Sequence, residues 1–132
     1  MKLNKLALGV CTLCAAITTL PANAHHSIAG EFDQTVTFEL SGTLTSFDWA
    51  NPHLWYYLDV VSESGAVEQW QCTTGINPNR LLRAGWKKED LVIGSKVVLS
   101  NANPARDDSH TCFTPGIALE DGTEIFSGRR ER

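Results

Sequence analysis

Residues 48–59 read D-W-A-N-P-H-L-W-Y-Y-L-D. They hold two of the four tryptophans, both tyrosines and one of the four histidines. Proline lacks an N–H and pushes the residue before it out of the helical region, so Asn51-Pro52 breaks the backbone. On each side of that break lies a strand-like run, and the joint between them decides the fold.

Upstream, Thr35 to Ser46 alternates. Val36, Phe38, Leu40 and Leu44 share one face; Thr35, Thr37, Glu39, Ser41, Thr43 and Thr45 share the other. A period of two with β-branched residues predicts a half-buried strand. Gly42 takes an inward position, as at a sharp bend or bulge. Beyond it the apolar phase slips to Phe47 and Trp49, which a bulge near Thr45 accounts for.

Downstream, Leu54–Val61 predicts a second strand. Leu54, Tyr56, Leu58 and Val60 make one face, and Trp55, Tyr57 and Asp59 the other. Ser62-Glu63-Ser64-Gly65 has turn composition. Ala66–Thr73 is a third strand, with Trp70 and Cys72 opposite Val67, Gln69 and Gln71. A helix follows: Asn77 is a good N-cap, Pro78 suits the first position, and Gly85 ends it. Lys87–Leu91 has room for another short turn. Ser95–Ser100 is a fourth strand, 101–113 reads as a polar loop, Ile117–Leu119 is a fifth strand, and Glu124–Ser127 closes a terminal hairpin. The order β-β-β-α-β-β predicts an all-β fold with one short helix, a five-stranded OB-like Greek-key barrel.

The first 24 residues stand apart. Lys2 and Lys5 precede an apolar run, Leu6–Leu20, and Pro21-Ala22-Asn23-Ala24 ends in a small-x-small pattern. That is the build of a secretory signal peptide, at about 15 apolar residues short for a membrane span; the alternative is a short membrane anchor. Cleavage after Ala24 predicts a periplasmic or secreted chain with no membrane insertion, one OB-like domain over 25–132 with an N-terminal arm, 25–34. Losing Lys2 and Lys5 leaves nine basic residues against 15 acidic ones, a net charge of −6. Nucleic-acid binders carry a basic face, so no nucleic-acid partner is expected. Cys11 and Cys14 leave with the leader. Cys72 and Cys112 remain, and two cysteines in an oxidising compartment are expected to pair.

The chain resembles a group of small secreted bacterial proteins known only as a domain of unknown function. Four motifs carry the resemblance: the H-H-S start with a following F-D (His25, His26, Ser27, Phe32, Asp33); L-x-G-T-L-T…W-x-N-P-H-x-W-x-Y-x-D-V from Leu40 to Val60; P-N-x-L-x-R-x-G-W from Pro78 to Trp86; and D-G-T…F from Asp121 to Phe126. The resemblance implies a signal peptide and an OB-like barrel, and brings no activity. The 101–113 loop and the cysteine pair depart from the group's pattern.

Two sets of residues are candidates for function. Trp49, Asn51, His53, Trp55 and Tyr57 cluster at the aromatic corner, and OB-folds bind extended ligands on the face of strands two and three. Against this, Trp49, Trp70 and Trp86 suit plugs of a small core. The expected partner is an unidentified ligand or periplasmic protein. The second set is metal-binding. The free amine and imidazole of His25, with a further nitrogen from His26, His53 or His110, form a nitrogen-rich set that suits copper, the one candidate cofactor. The alternatives are a polar arm for His25 and His26, and a turn-capping imidazole bonded to Asp48 or Asp59 for His53. A small hydrolytic enzyme is a weaker third reading. No G-x-S-x-G, H-E-x-x-H or Gly-rich phosphate loop occurs, and no nucleophile stands beside Asp48 and His53.

Overall fold

The computed structural model describes residues 27–127. The predicted leader, its cleavage site, His25 and His26 lie outside the described residues.

Seven strands and two short α-helices follow in the order α1 (Ile28–Glu31), β1 (Phe38–Asp48), β2 (Trp55–Val61), β3 (Val67–Thr73), α2 (Pro78–Arg83), β4 (Lys96–Pro104), β5 (Thr111–Phe113), β6 (Gly116–Leu119) and β7 (Glu124–Ser127). A 3₁₀ turn, Lys88–Asp90, sits between α2 and β4. Five strands close into a barrel in the order β1-β2-β3-β5-β4, with β4 returning to β1. The β3–β5 pairing is parallel and the others in the ring are antiparallel. The OB-like expectation therefore holds, and β6–β7 is a hairpin added to the outer edge of β4.

The long first strand serves two neighbours. Phe38–Thr43 pairs with β4, and Thr43–Asp48 pairs with β2. The register slips between Leu44 and Ser46, where the apolar phase of the sequence changes. Gly42 is not a bulge. A Cβ there would lie 2.8 Å from the Asp59 carbonyl oxygen, so the glycine permits a close approach of β1 to β2 at Asp59. Val36, expected on the inward face, precedes the strand and is 47 % exposed.

Inward side chains fill the barrel: Leu40, Leu44, Tyr56, Leu58, Val97 and Leu99 are all buried. Asn77 caps α2 by accepting from the Arg80 N–H, Pro78 opens the helix, and Leu81 goes into the core. Trp49, Trp70 and Trp86 are partly buried against that core, and Trp86 meets the Phe126 ring at 6.4 Å.

Two elements differ from the sequence reading. The fourth strand does not stop at Ser100 but runs to Pro104. One extra residue of β4 bulges between the Phe38↔Ala102 and Leu40↔Leu99 pairs, and Asn101 takes a φ of 55° there. Asparagine tolerates that left-handed conformation. The polar run that follows is satisfied in place, since the Asn103 amide donates to the Val36 carbonyl at 2.8 Å. The fifth strand of the barrel is not Ile117–Leu119 but Thr111–Phe113, inside the segment read as a polar loop. Three residues are too few to show a period.

The N-terminal arm is folded from Ser27 onward. The Ser27 hydroxyl accepts from the Gly30 N–H and caps α1. Phe32 is buried, 6.0 Å from the Phe113 ring.

Candidate functional site

The expected Cys72–Cys112 disulfide is present and joins directly opposed residues of β3 and β5. Both sulfurs lie inside the barrel. Because side chains alternate along a strand, the residues one step away, Gln71 and Thr111, point outward together. The Gln71 amide donates to the Thr111 hydroxyl at 3.0 Å.

That pair belongs to a longer row. Ser46 opposes Tyr57, Tyr57 opposes Gln71, and Gln71 opposes Thr111. One hydroxyl or amide side chain per strand thus crosses β1, β2, β3 and β5. Trp55 flanks the row on β2 and Gln69 flanks it on β3.

Two depressions lie along this face. The first, about 480 Å³, includes Tyr57, Gln69, Trp70, Gln71, His110 and Thr111 in its lining. The second, about 420 Å³, includes Trp55, Phe32, Glu31, Arg106 and Asp107. Gln71, Ser109 and Thr111 line both, so the two are contiguous.

The 105–110 loop forms one bank. It is held from both sides. The Gln71 N–H donates to the His110 carbonyl at 2.9 Å, and the Arg106 N–H donates to the Glu31 carbonyl at 2.9 Å. The Arg106 guanidinium donates to the Ala29 carbonyl and lies 3.8 Å from Asp33. Asp107 accepts from the hydroxyl and the N–H of Ser109, and these two bonds hold its pKa below the ordinary carboxylate value. The His110 ring stacks on Trp70 at 4.9 Å with 10° between planes, and its Nε2 is 3.6 Å from Glu68 Oε2.

The aromatic corner is only partly in this site. Tyr57 and Trp55 are half-buried and line the depressions. The Tyr57 hydroxyl donates to Asp48 Oδ2 at 2.9 Å. That bond, with some desolvation and the nearby negative charge, raises the tyrosine pKa above its usual 10. Trp49 instead packs against the core. Asn51 and His53 are exposed on the turn, which contains a cis Asn51–Pro52 bond, and they line neither depression. Asp48, proposed as a partner for His53, is bonded to Tyr57.

Gln71, Ser109 and Thr111 were not among the candidates from sequence, and His110 was one only as a further nitrogen for copper. The signal for Gln71 and Thr111 lies in the cysteine pair. Two cysteines joined side by side carry their strand neighbours onto one outer face.

Among the described residues no three His, Cys, Asp or Glu side chains are grouped to hold a metal. The copper set centred on His25 and His26 falls outside the described residues. No helix among the described residues is long and apolar enough to cross a membrane. A model of a family of unknown function (DUF6152) matches residues 13–114. No curated protein and no solved structure matches the chain.

Proposed function

The chain belongs to that family of unknown function, and from this premise we propose that it is an exported, non-catalytic binding module whose ligand lies on the outer face of β2, β3 and β5. The observation that carries the reading is the Ser46–Tyr57–Gln71–Thr111 row. It runs along two contiguous depressions, on the sheet face and beside the loop that OB-folds use for extended ligands. The depressions fall in the range of small-molecule sites, about 300–1,000 Å³. The Cys72–Cys112 bond supports the exported half of the proposal, since such bonds persist in oxidising compartments.

Export and binding are tested together. Protein collected from the exporting host has His25 as its first residue. Recovery of an intact Met1 start would end the export reading. Mass spectrometry of material co-purifying with the wild type and with Trp55→Ala tests the groove. Trp55 is half-exposed, so the variant keeps its stability within about 1 kcal/mol and loses the bound material. Equal retention by both proteins would move the site off this face.

A further inference from the structure

We infer that the groove takes an uncharged oligosaccharide. This rests on the groove being the binding site, and names the chemical class of what it holds.

The lining of the first depression contains no Asp, Glu, Lys or Arg, although one residue in five of the chain is charged; the second is also lined by Glu31, Arg106 and Asp107, of which Arg106 is bonded to Ala29 and close to Asp33 and Asp107 accepts from Ser109. What it offers is hydroxyl and amide groups, which both donate and accept. A sugar hydroxyl does the same, so each can be matched on both counts. An unpaired ligand charge would find no counter-ion in the first depression. Glu68 is engaged by the Trp70 indole and His110.

Spacing points the same way. Strands stand about 4.8 Å apart, so the Ser46–Tyr57–Gln71–Thr111 row presents hydrogen-bonding groups at a regular interval. A regular interval suits a polymer of similar hydroxyl-bearing rings. The two contiguous depressions give room for more than one ring. Trp55 supplies the apolar surface. The negative π-face of an aromatic ring attracts polarised C–H groups, and sugar rings carry these on their flat sides.

Two other extended ligands fit less well. A peptide added as a strand needs an open sheet edge, and along the row itself Tyr57 and Gln71 are each paired on both sides. A nucleic acid needs a basic track. The acidic excess of the chain opposes one, and Arg106 is already bonded to Ala29 and close to Asp33.

The test uses purified protein with its disulfide intact. Titrations with cello-, xylo-, malto- and chito-oligosaccharides are followed by tryptophan fluorescence and calorimetry. Polygalacturonate and a tryptic digest of casein serve as acidic-glycan and peptide probes. At least one neutral oligosaccharide binds, and longer chains bind better than the disaccharide. Trp55→Ala and Gln71→Leu each weaken that binding roughly tenfold or more, the scale of one lost stacking or buried hydrogen-bond contact. Unchanged thermal midpoints show that both variants fold. Binding of only the acidic glycan or the peptides, still lost in Trp55→Ala, overturns the oligosaccharide and leaves the groove standing. Neutral-sugar binding that neither variant weakens overturns both. Absence of binding by every neutral probe overturns the oligosaccharide alone.

Discussion

Tyr56 and Tyr57 are neighbours in the chain with opposite surroundings. The Tyr57 hydroxyl faces the groove and has Asp48 as its acceptor. Tyr56 is fully buried, and its hydroxyl has no hydrogen-bond partner among the described residues. A buried hydroxyl without a partner costs about 1–3 kcal/mol, whereas its ring gains from burial against Phe126. Tyr56→Phe should therefore be more stable than the wild type by about 1 kcal/mol in denaturant unfolding of the oxidised protein. A clear loss of stability would show that the hydroxyl is bonded after all. The sequence makes Tyr56 inward and Tyr57 outward by alternation alone. It is silent on which hydroxyl has a partner, because Asp48 reaches Tyr57 only across the β1–β2 pairing.

At the scale of elements, the strands with a clear period were legible and the closure of the ring was not. Leu54–Val61 alternates for eight residues, and β2 has the expected faces. The bulge after Leu44 was legible too, because a slip moves every later side chain to the other face. The end of β4 carries Asn101, Asn103 and Pro104, all turn formers, and its pairing depends on partners far away in the chain. Gly42 was legible as a special position but not in kind. Its lack of a Cβ lets the Asp59 backbone approach. Gly42→Ala puts a methyl 2.8 Å from that carbonyl and 3.0 Å from a Val60 methyl, which the backbone must move to relieve. The expected loss is about 1–3 kcal/mol, read from the urea midpoint. An unchanged midpoint would mean the approach at Asp59 has room to spare. The disulfide spans 40 residues of sequence. In the chain-entropy account its replacement by two alanines costs roughly 3–4 kcal/mol. A loss under about 1 kcal/mol would mean the β3–β5 seam holds without it.

For the whole molecule, the shifted groups define a window of pH. Asp33, Asp107 and Asp121 each accept from a Thr or Ser two residues on, bonds that lower their pKa values. A carboxylate with a depressed folded pKa contributes stability above its unfolded value of about 3.9, and that contribution is lost as pH falls through the folded value. The two tyrosines are shifted upward, Tyr56 by burial and Tyr57 chiefly by Asp48. Their contribution is complete below the unfolded value of about 10 and is lost as pH rises through the folded values, because the unfolded chain gives up its protons first. Unfolding free energy should therefore be level between these limits with respect to the five groups and fall on both sides. Tyr56→Phe should soften the alkaline fall, measured by chemical denaturation across pH. An alkaline limb identical in wild type and variant would exclude Tyr56 as its source. The candidate groove is a property of this largest scale, since its row takes residues from four strands that lie far apart in the sequence, from Ser46 to Thr111.

The covalent link between Cys72 and Cys112 has a consequence beyond stability. The parallel seam it crosses has only three matched positions. A ladder so short has little in it to resist sliding by a step, and a slip of one residue would turn Thr111 inward and Cys112 outward. With the middle rung bonded, that slide is closed to the chain. The bond thus acts as an index pin, fixing which side chains of β5 meet the solvent. Gln71 and Thr111 stay aligned because the rung beside them cannot be reassigned.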